Sequence, residues 1–390
     1  MEPRRHKDTE KTGKPEDDNA MSWQNSRDRT AKYIIVFLIS IFGISLASAQ
    51  EFVLGEGELL GGIFSPDGNL LAVRTASAEV FVFDTDSLKL NQILSTPGRN
   101  VFSLAFSPDS RYLAWREKTP GGGVGVWDLS ISKQVAYFQL NVFDLCALVF
   151  VPGGDLLAVQ AGDYVGIGTP DPGIVHFWKV GTWEKHGVWR PTGNGTVSTL
   201  AFTHDGEQFV ATSTRGPVGE WVHEEFVVDV QTLKTVDSRE QQDEGIIAFS
   251  SDGRFEVVPL NGGLRSVLIR DPQNHAQIAL LSDPVVGYLL FHSISPDGKL
   301  LATWNLGVKP DRQSEIILWN THTWEIEHRL TLPPGQSIAH GFVKGTYWYA
   351  DIAPTGELRI WDLIAQDVWT GVFLLPGMKA TSWGYIRMIR

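Results

Sequence analysis

The chain has 390 residues, 43% of them hydrophobic, with 33 Lys+Arg against 45 Asp+Glu and a single cysteine. A net charge of −12 excludes nucleic acid and anionic membrane surfaces as natural partners, since neither attracts an acidic protein. The lone Cys146 forms no internal disulfide; within Leu145-Cys-Ala-Leu-Val-Phe150 it is expected to be a small buried hydrophobe.

Residues 1–32 are polar and charged, and residues 33–46 carry no charge at all. The basic flank Arg27, Arg29 and Lys32, the apolar run and the small residues Ala47-Ser-Ala49 make a secretory signal over residues 1–49. Met21 begins a signal of more ordinary length than Met1 does. The alternative is an uncleaved anchor, although 14 uncharged residues fall short of the roughly 20 that span a bilayer. Cleavage after Ala49 removes 8 basic and 7 acidic residues and leaves 25 and 38, a net of −13. Export without disulfides suits a periplasm or cell surface, and no cysteine follows the cleavage site to take a lipid. Residues 50–56 form a short segment ahead of the repeats, and residues 377–390 a C-terminal tail.

Between them, over residues 57–376, one phrase recurs. It stands as Phe64-Ser-Pro-Asp-Gly68, Phe106-Ser-Pro-Asp-Ser110, Phe150-Val-Pro-Gly-Gly154, Phe202-Thr-His-Asp-Gly206, Phe249-Ser-Ser-Asp-Gly253, Ile294-Ser-Pro-Asp-Gly298 and, eroded, Phe342-Val-Lys-Gly345. The lead residues lie 42, 44, 52, 47, 45 and 48 positions apart. That period predicts an all-β, seven-bladed β-propeller of four-stranded antiparallel blades. Proline sets φ at the first corner of each turn, Asp bonds its own backbone and Gly takes the left-handed position. The recurring Asp67, Asp109, Asp205, Asp252 and Asp297 are therefore turn formers, not a catalytic ring.

Each turn is followed by a short apolar strand (Leu70-Leu-Ala-Val73, Tyr112-Leu-Ala-Trp115, Leu156-Leu-Ala-Val159), a loop of variable length and a second alternating strand. The second strand ends at a polar residue, as in Val80-Phe-Val-Phe-Asp84, Val124-Gly-Val-Trp-Asp128 and Ile316-Ile-Leu-Trp-Asn320. In Asp84-Thr-Asp-Ser-Leu88 and its equivalents the apolar residue is expected to begin the fourth strand. Every blade then uses consecutive strands, so ring closure rests on side-chain packing.

Trp127-Asp128 and Trp361-Asp362, with Trp319-Asn320 as a near match, stand where WD40 repeats carry their Trp-Asp pair. The chain resembles a WD40-type repeat protein over roughly residues 55–375. The Gly-His pair that precedes each WD40 blade is missing, with Pro97-Gly-Arg99, Gly193-Asn-Gly195 and Pro334-Gly-Gln336 in its place. The family's His–Ser/Thr–Asp–Trp relay is therefore not carried over, and blade rigidity is expected from apolar packing. Trp127, Trp178, Trp319 and Trp361 are expected in that packing.

One face of such a ring carries the tight turns. The other carries the connections 116–123, 160–173, 213–224 and 306–314, which are long and varied, and binding residues gather on irregular loops. Candidate partner-binding residues are Trp115, Arg116, Lys118, Tyr164, Asp171, Arg215, Trp221, His223, Lys309 and Arg312, which mix charge with aromatics. In Glu220-Trp-Val-His-Glu-Glu225, a strand puts His223 and Glu225 on one side, two metal ligands where zinc takes three or four. His176, His292 and His340 are scattered over strands. No metal or cofactor site is expected.

No Gly-x-Ser-x-Gly, phosphate loop or His-Glu-x-x-His occurs. Gly121-Gly-Gly-Val-Gly125 joins two strands, with no helix N-terminus to hold phosphate. The expected function is that of an exported, non-catalytic scaffold that is monomeric and binds a protein or peptide on its loop-rich face. The alternative is an enzyme or small-ligand binder acting at the mouth of the central channel.

Overall fold

The computed structural model describes residues 59–75, 79–96, 101–117, 122–142, 147–161, 164–165, 169–170, 173–193, 195–215, 222–241, 245–260, 266–283, 289–305, 314–332, 336–352 and 357–372. The signal or anchor segment, Cys146 and the C-terminal tail lie outside these residues.

Seven four-stranded antiparallel sheets follow one another along the chain. Blade 1 comprises β1 (Leu59–Phe64), β2 (Leu70–Thr75), β3 (Glu79–Asp84) and β4 (Leu90–Ser95). Blade 2 comprises β5 (Val101–Phe106), β6 (Tyr112–Glu117), β7 (Gly122–Asp128) and β8 (Lys133–Val142). Blade 3 is built from β9 (Leu148–Phe150), β10 (Leu156–Ala161), β13 (Ile174–Lys179) and β14 (Lys185–Trp189). A small hairpin of β11 (Tyr164–Val165) and β12 (Thr169–Pro170) stands within its long connection. Blade 4 holds β15 (Thr196–Phe202), β16 (Gln208–Arg215), β17 (Val222–Asp229) and β18 (Thr235–Gln241). Blade 5 holds β19 (Ala248–Phe249), β20 (Glu256–Leu260), β21 (Ser266–Arg270) and β22 (Gln277–Ser282). Blade 6 runs through β23 (Leu289–Ile294), β24 (Leu300–Asn305), β25 (Glu315–Asn320) and β26 (Ile326–Thr331). Blade 7 runs through β27 (Gln336–Val343), β28 (Thr346–Ile352), β29 (Glu357–Asp362) and β30 (Asp367–Val372). The architecture is the seven-bladed propeller that the repeat period predicts.

Turn chemistry is as local as the repeat suggests. In blade 1, the Asp67 carboxylate accepts from Ser65 Oγ at 2.6 Å and from the Asn69 amide at 3.0 Å. Ser65 Oγ in turn accepts from the Leu70 amide at 2.9 Å, and Gly68 closes the turn at φ 72°. The same Ser/Thr–Asp pair recurs at Ser107–Asp109, Thr203–Asp205 and Ser295–Asp297. These hydrogen bonds hold Asp67, Asp205 and Asp297 below the usual carboxylate range against the opposing effect of burial. Thr85 and Thr321 tie the third-to-fourth turn to the first by donating to the Gly68 and Gly298 carbonyls, each at 2.6 Å.

The apolar residue after the third strand does not begin the fourth. Leu88, Trp183, Leu233 and Trp324 sit in the turn itself at φ 53–60°, and Ser132, His275 and Gln366 fill the same position in the other blades. Left-handed backbone costs a bulky residue about 1–2 kcal/mol. Burial against the neighbouring blade offsets it: Trp183 meets Tyr112 edge-on at 5.1 Å and Trp324 meets Phe255 at 5.0 Å.

Two sets of bulges bend the strands. Register shifts leave Phe102 in β5, Ser198 in β15, His292 in β23 and Ile338 in β27 without a cross-strand partner on the inner strands. On the outer strands the extra residue is Asn91, Val135, His186, Val236, Ile278 or Glu327 in blades 1 to 6, which interrupts each exposed edge.

Apolar clusters fill the seams between blades. One joins Leu71, Phe81, Phe83 and Leu88 of blade 1 to Ile338, Trp348, Ala350 and Ile360 of blade 7. Phe64 meets Trp348 edge-on at 5.7 Å, and Lys344 Nζ reaches Asp86 at 3.2 Å on the same seam. Trp127, Trp178 and Trp319 are buried and Trp361 is half-buried, in the packing expected of them.

Candidate functional site

Because each strand reverses the last, the tight turns lie at one end of every blade and the second-to-third connections at the other. Those connections are residues 76–78, 118–121, 162–173, 216–221, 261–265, 306–314 and 353–356, most of them outside the described residues. The strand ends that carry them show what the loop-rich face presents.

At the end of β6, Trp115 is 1% exposed and stacks on Trp127 with centroids 5.2 Å apart. It is a core residue, and its indole lies over Gly125, where a Cβ would come within 2.3 Å. Gly123 likewise makes room for the Tyr137 ring, with a Cβ there 2.6 Å from the Tyr137 hydroxyl. The glycine run is thus a strand thinned for aromatic packing, and Tyr137 donates from its hydroxyl to Glu117 at 2.8 Å.

Arg116, the next residue, is 4% exposed, and its Nε and Nη1 have no hydrogen-bond partner. Its guanidinium lies 5.4 Å from the centroid of the Phe102 ring. Arg74 at the end of β2 approaches the same ring at 5.9 Å and donates to the Val101 carbonyl at 3.4 Å. Burial holds the Arg74 guanidinium at a pKa of about 10. Arg74 is a residue that sequence reasoning missed, yet it had a signal: Leu71-Ala-Val-Arg74 aligns with Leu113-Ala-Trp-Arg116 in the repeat. The equivalent Gln160 donates to the Val197 carbonyl of blade 4 at 2.6 Å, so this position reaches toward the next blade.

The remaining candidates divide. Arg215 pairs with Glu240 at 2.6 Å on exposed surface. His223 lies on the adjacent strand, its Nδ1 2.9 Å from Thr214 Oγ1. Tyr164 is on β11. Lys118, Asp171, Trp221, Lys309 and Arg312 lie outside the described residues.

Two buried polar clusters have no counterpart in the sequence reading. Between blades 4 and 5, Glu225, 1% exposed, meets Arg239 at 2.5 Å, and Glu256 meets Arg270 at 2.6 Å. His275 joins the pairs, 2.9 Å from Glu256 and 3.0 Å from Arg239. It occupies the left-handed turn position that Leu or Trp fills in four other blades, so a polar latch stands where those blades have an apolar one. Burial raises the Glu225 carboxyl above its usual range; Arg239 acts against that shift, and Glu256 adds to it.

Between blades 6 and 7, His292 and His340, each 6% exposed, stack with centroids 4.0 Å apart. They are distant in sequence but not scattered in the fold. Tyr347 Oη stands 2.9 Å from His340 Nδ1 and 3.1 Å from His292 Nδ1, and Ser293 Oγ is 2.7 Å from the latter. Both Nε2 atoms lack a partner, as does Trp304 Nε1 beside His340. Near-parallel rings, 26° apart, are poorly placed to share one metal in both ring planes. His176 lies elsewhere, against Trp178.

No protein-family model matches the chain. It is 24% identical over 294 residues to the dihydro-heme d1 dehydrogenase of Pseudomonas aeruginosa, covering 72% of this chain and 55% of that protein. The chain therefore spans about half the length of this curated relative. Among solved structures it is similar to the β-propeller domain of Cps50 (Swd1) from Myceliophteria thermophila, with TM-score 0.58, 16% identity and coverage of 80% and 99% of the two chains. Hydrazine synthase from Kuenenia stuttgartiensis is similar at TM-score 0.53 and 15% identity, with coverage of 84% and 99%. These structural likenesses establish the fold.

Proposed function

We propose that the chain is an exported binding propeller that engages a protein or peptide through its loop-rich face. The observation that carries this reading is the contrast between the two ends of the blades. Ser/Thr–Asp hydrogen bonds and short turns lock one face, while the other carries connections of up to 12 residues and its own hairpin, β11–β12. Rigid blades presenting irregular loops are suited to recognition. The test is affinity capture from cell-envelope extract with tagged residues 50–390, beside a variant with connections 160–173 and 213–224 shortened. A specific protein retained by the first and lost by the second is the expected result; equal retention by both would refute the reading.

The second reading places a small ligand, or a reaction on one, at the channel mouth. It is supported by the buried arginines around Phe102 and by the similarity to a dehydrogenase.

A further inference from the structure

We propose that Arg74, Arg116 and Phe102 form a binding site for a small dianionic oxyanion, a dicarboxylate or a phosphate, at the loop-rich mouth of the channel between blades 1 and 2. This inference rests on the small-ligand reading and not on partner docking.

Each arginine leaves the second strand of its blade opposite a small inner-strand residue. Arg74 pairs with Gly61 and Arg116 with Ser103. Arg74 reaches the next blade, where it donates to the Val101 carbonyl at the start of the inner strand β5, and inner strands border the channel. Gly61, opposite Arg74, sits at φ 136°, a backbone conformation that residues with a side chain rarely adopt. The bulge at Phe102 leaves its ring within cation–π reach of both guanidiniums, 5.9 Å from Arg74 and 5.4 Å from Arg116.

The charges are unbalanced. Arg239, Arg270, Arg329 and Arg359 each meet a buried carboxylate: Glu225, Glu256, Asp283 and Asp351. Among the described residues, no carboxylate forms an ion pair with Arg74 or Arg116. Arg116 has two unpartnered nitrogens in a side chain that is more than nine-tenths buried. A desolvated guanidinium is costly without a partner, and an oxyanion satisfies its planar fork of donors. Two fixed positive charges within a chain of net charge −12 favour a dianion at this place over the surrounding surface.

The experiment is calorimetric titration of the full chain with inorganic phosphate and with succinate, at low and high salt, together with the melting temperature at each ligand concentration. Saturable binding of at least one probe, weakened by salt, is expected. Arg74→Gln and Arg116→Gln should each weaken it on the order of tenfold, and Arg116→Lys, which keeps the charge but loses the fork, by less. Where a glutamine variant melts early without ligand, the other two variants decide. Absence of binding by both probes, or unchanged affinity in the variants, overturns the site. An uncharged sugar that raises the melting temperature when neither oxyanion does would overturn the oxyanion site and leave the small-ligand reading standing. No stabilisation by either class would remove both.

Discussion

His292 and His340, 48 residues apart in the chain, face each other as stacked neutral imidazoles across the seam of blades 6 and 7. Desolvation holds His340 at a pKa of about 3 and His292 well below its usual value, with each other's proximity adding to the effect on His292. In the unfolded chain both titrate near 6.5. The unfolded state therefore binds more protons between these limits. The stability due to neutral burial is whole above pH 6.5 and is lost as pH falls toward 3. Each histidine contributes a slope of about 1.4 kcal/mol per pH unit while only the unfolded form is protonated. Urea midpoints measured from pH 7.5 down to 5 should fall in the wild type. They should fall much less in the His292→Gln, His340→Gln double variant; an equal slope would show that other groups carry the pH dependence.

The seam of blades 4 and 5 responds in the opposite sense. Arg239→Met leaves Glu225 buried beside Glu256 without its cation, which should cost about 3–5 kcal/mol at neutral pH. The carboxyl has a raised folded pKa, so its protonation as pH falls relieves the variant. Comparing denaturation of wild type and variant at pH 8 and pH 5 checks this: the gap between them should narrow at the lower pH.

Gly125→Ala should destabilise the protein by about 1–3 kcal/mol by driving a methyl into the Trp115 indole. Near-ultraviolet circular dichroism should change with it, because Trp115 stacks on Trp127. A variant as stable as wild type would show that the strand can shift away from the indole.

Deletion of residues 1–56 should leave a folded ring. All four strands of blade 1 and of blade 7 are consecutive, and the Phe64–Trp348 contact and the cluster around Phe81 and Ile360 close the seam. Far-ultraviolet circular dichroism and a single melting transition would confirm this, whereas cooperative loss of β-structure would place a closing strand in the deleted segment.

Much of the fold was legible because its causes act over a few residues. Phe64-Ser-Pro-Asp-Gly68 states its own hydrogen bonds, and Trp319-Asn320 marks the end of a third strand. The place of Leu88 and Trp324 was not legible. An apolar residue ahead of a strand looks like its first member, and only packing on the next blade makes a left-handed conformation worthwhile. At the candidate site, Arg116 stood out through its place beside a variable loop. Arg74 did not, although the repeat aligned the two.

The sequence by itself determined the number of blades, the strand order and the face that carries the variable loops, since turn chemistry and alternation repeat with the chain. Tertiary structure alone decided which polar groups meet across the seams: Arg74 with Arg116 around Phe102, Glu225 with Arg239 and His275, His292 with His340. The physical reason lies in the geometry of the seams. Bulges at Phe102 and His292 shift the inner register by one residue, and one residue is enough to turn a side chain from one face of a blade to the other.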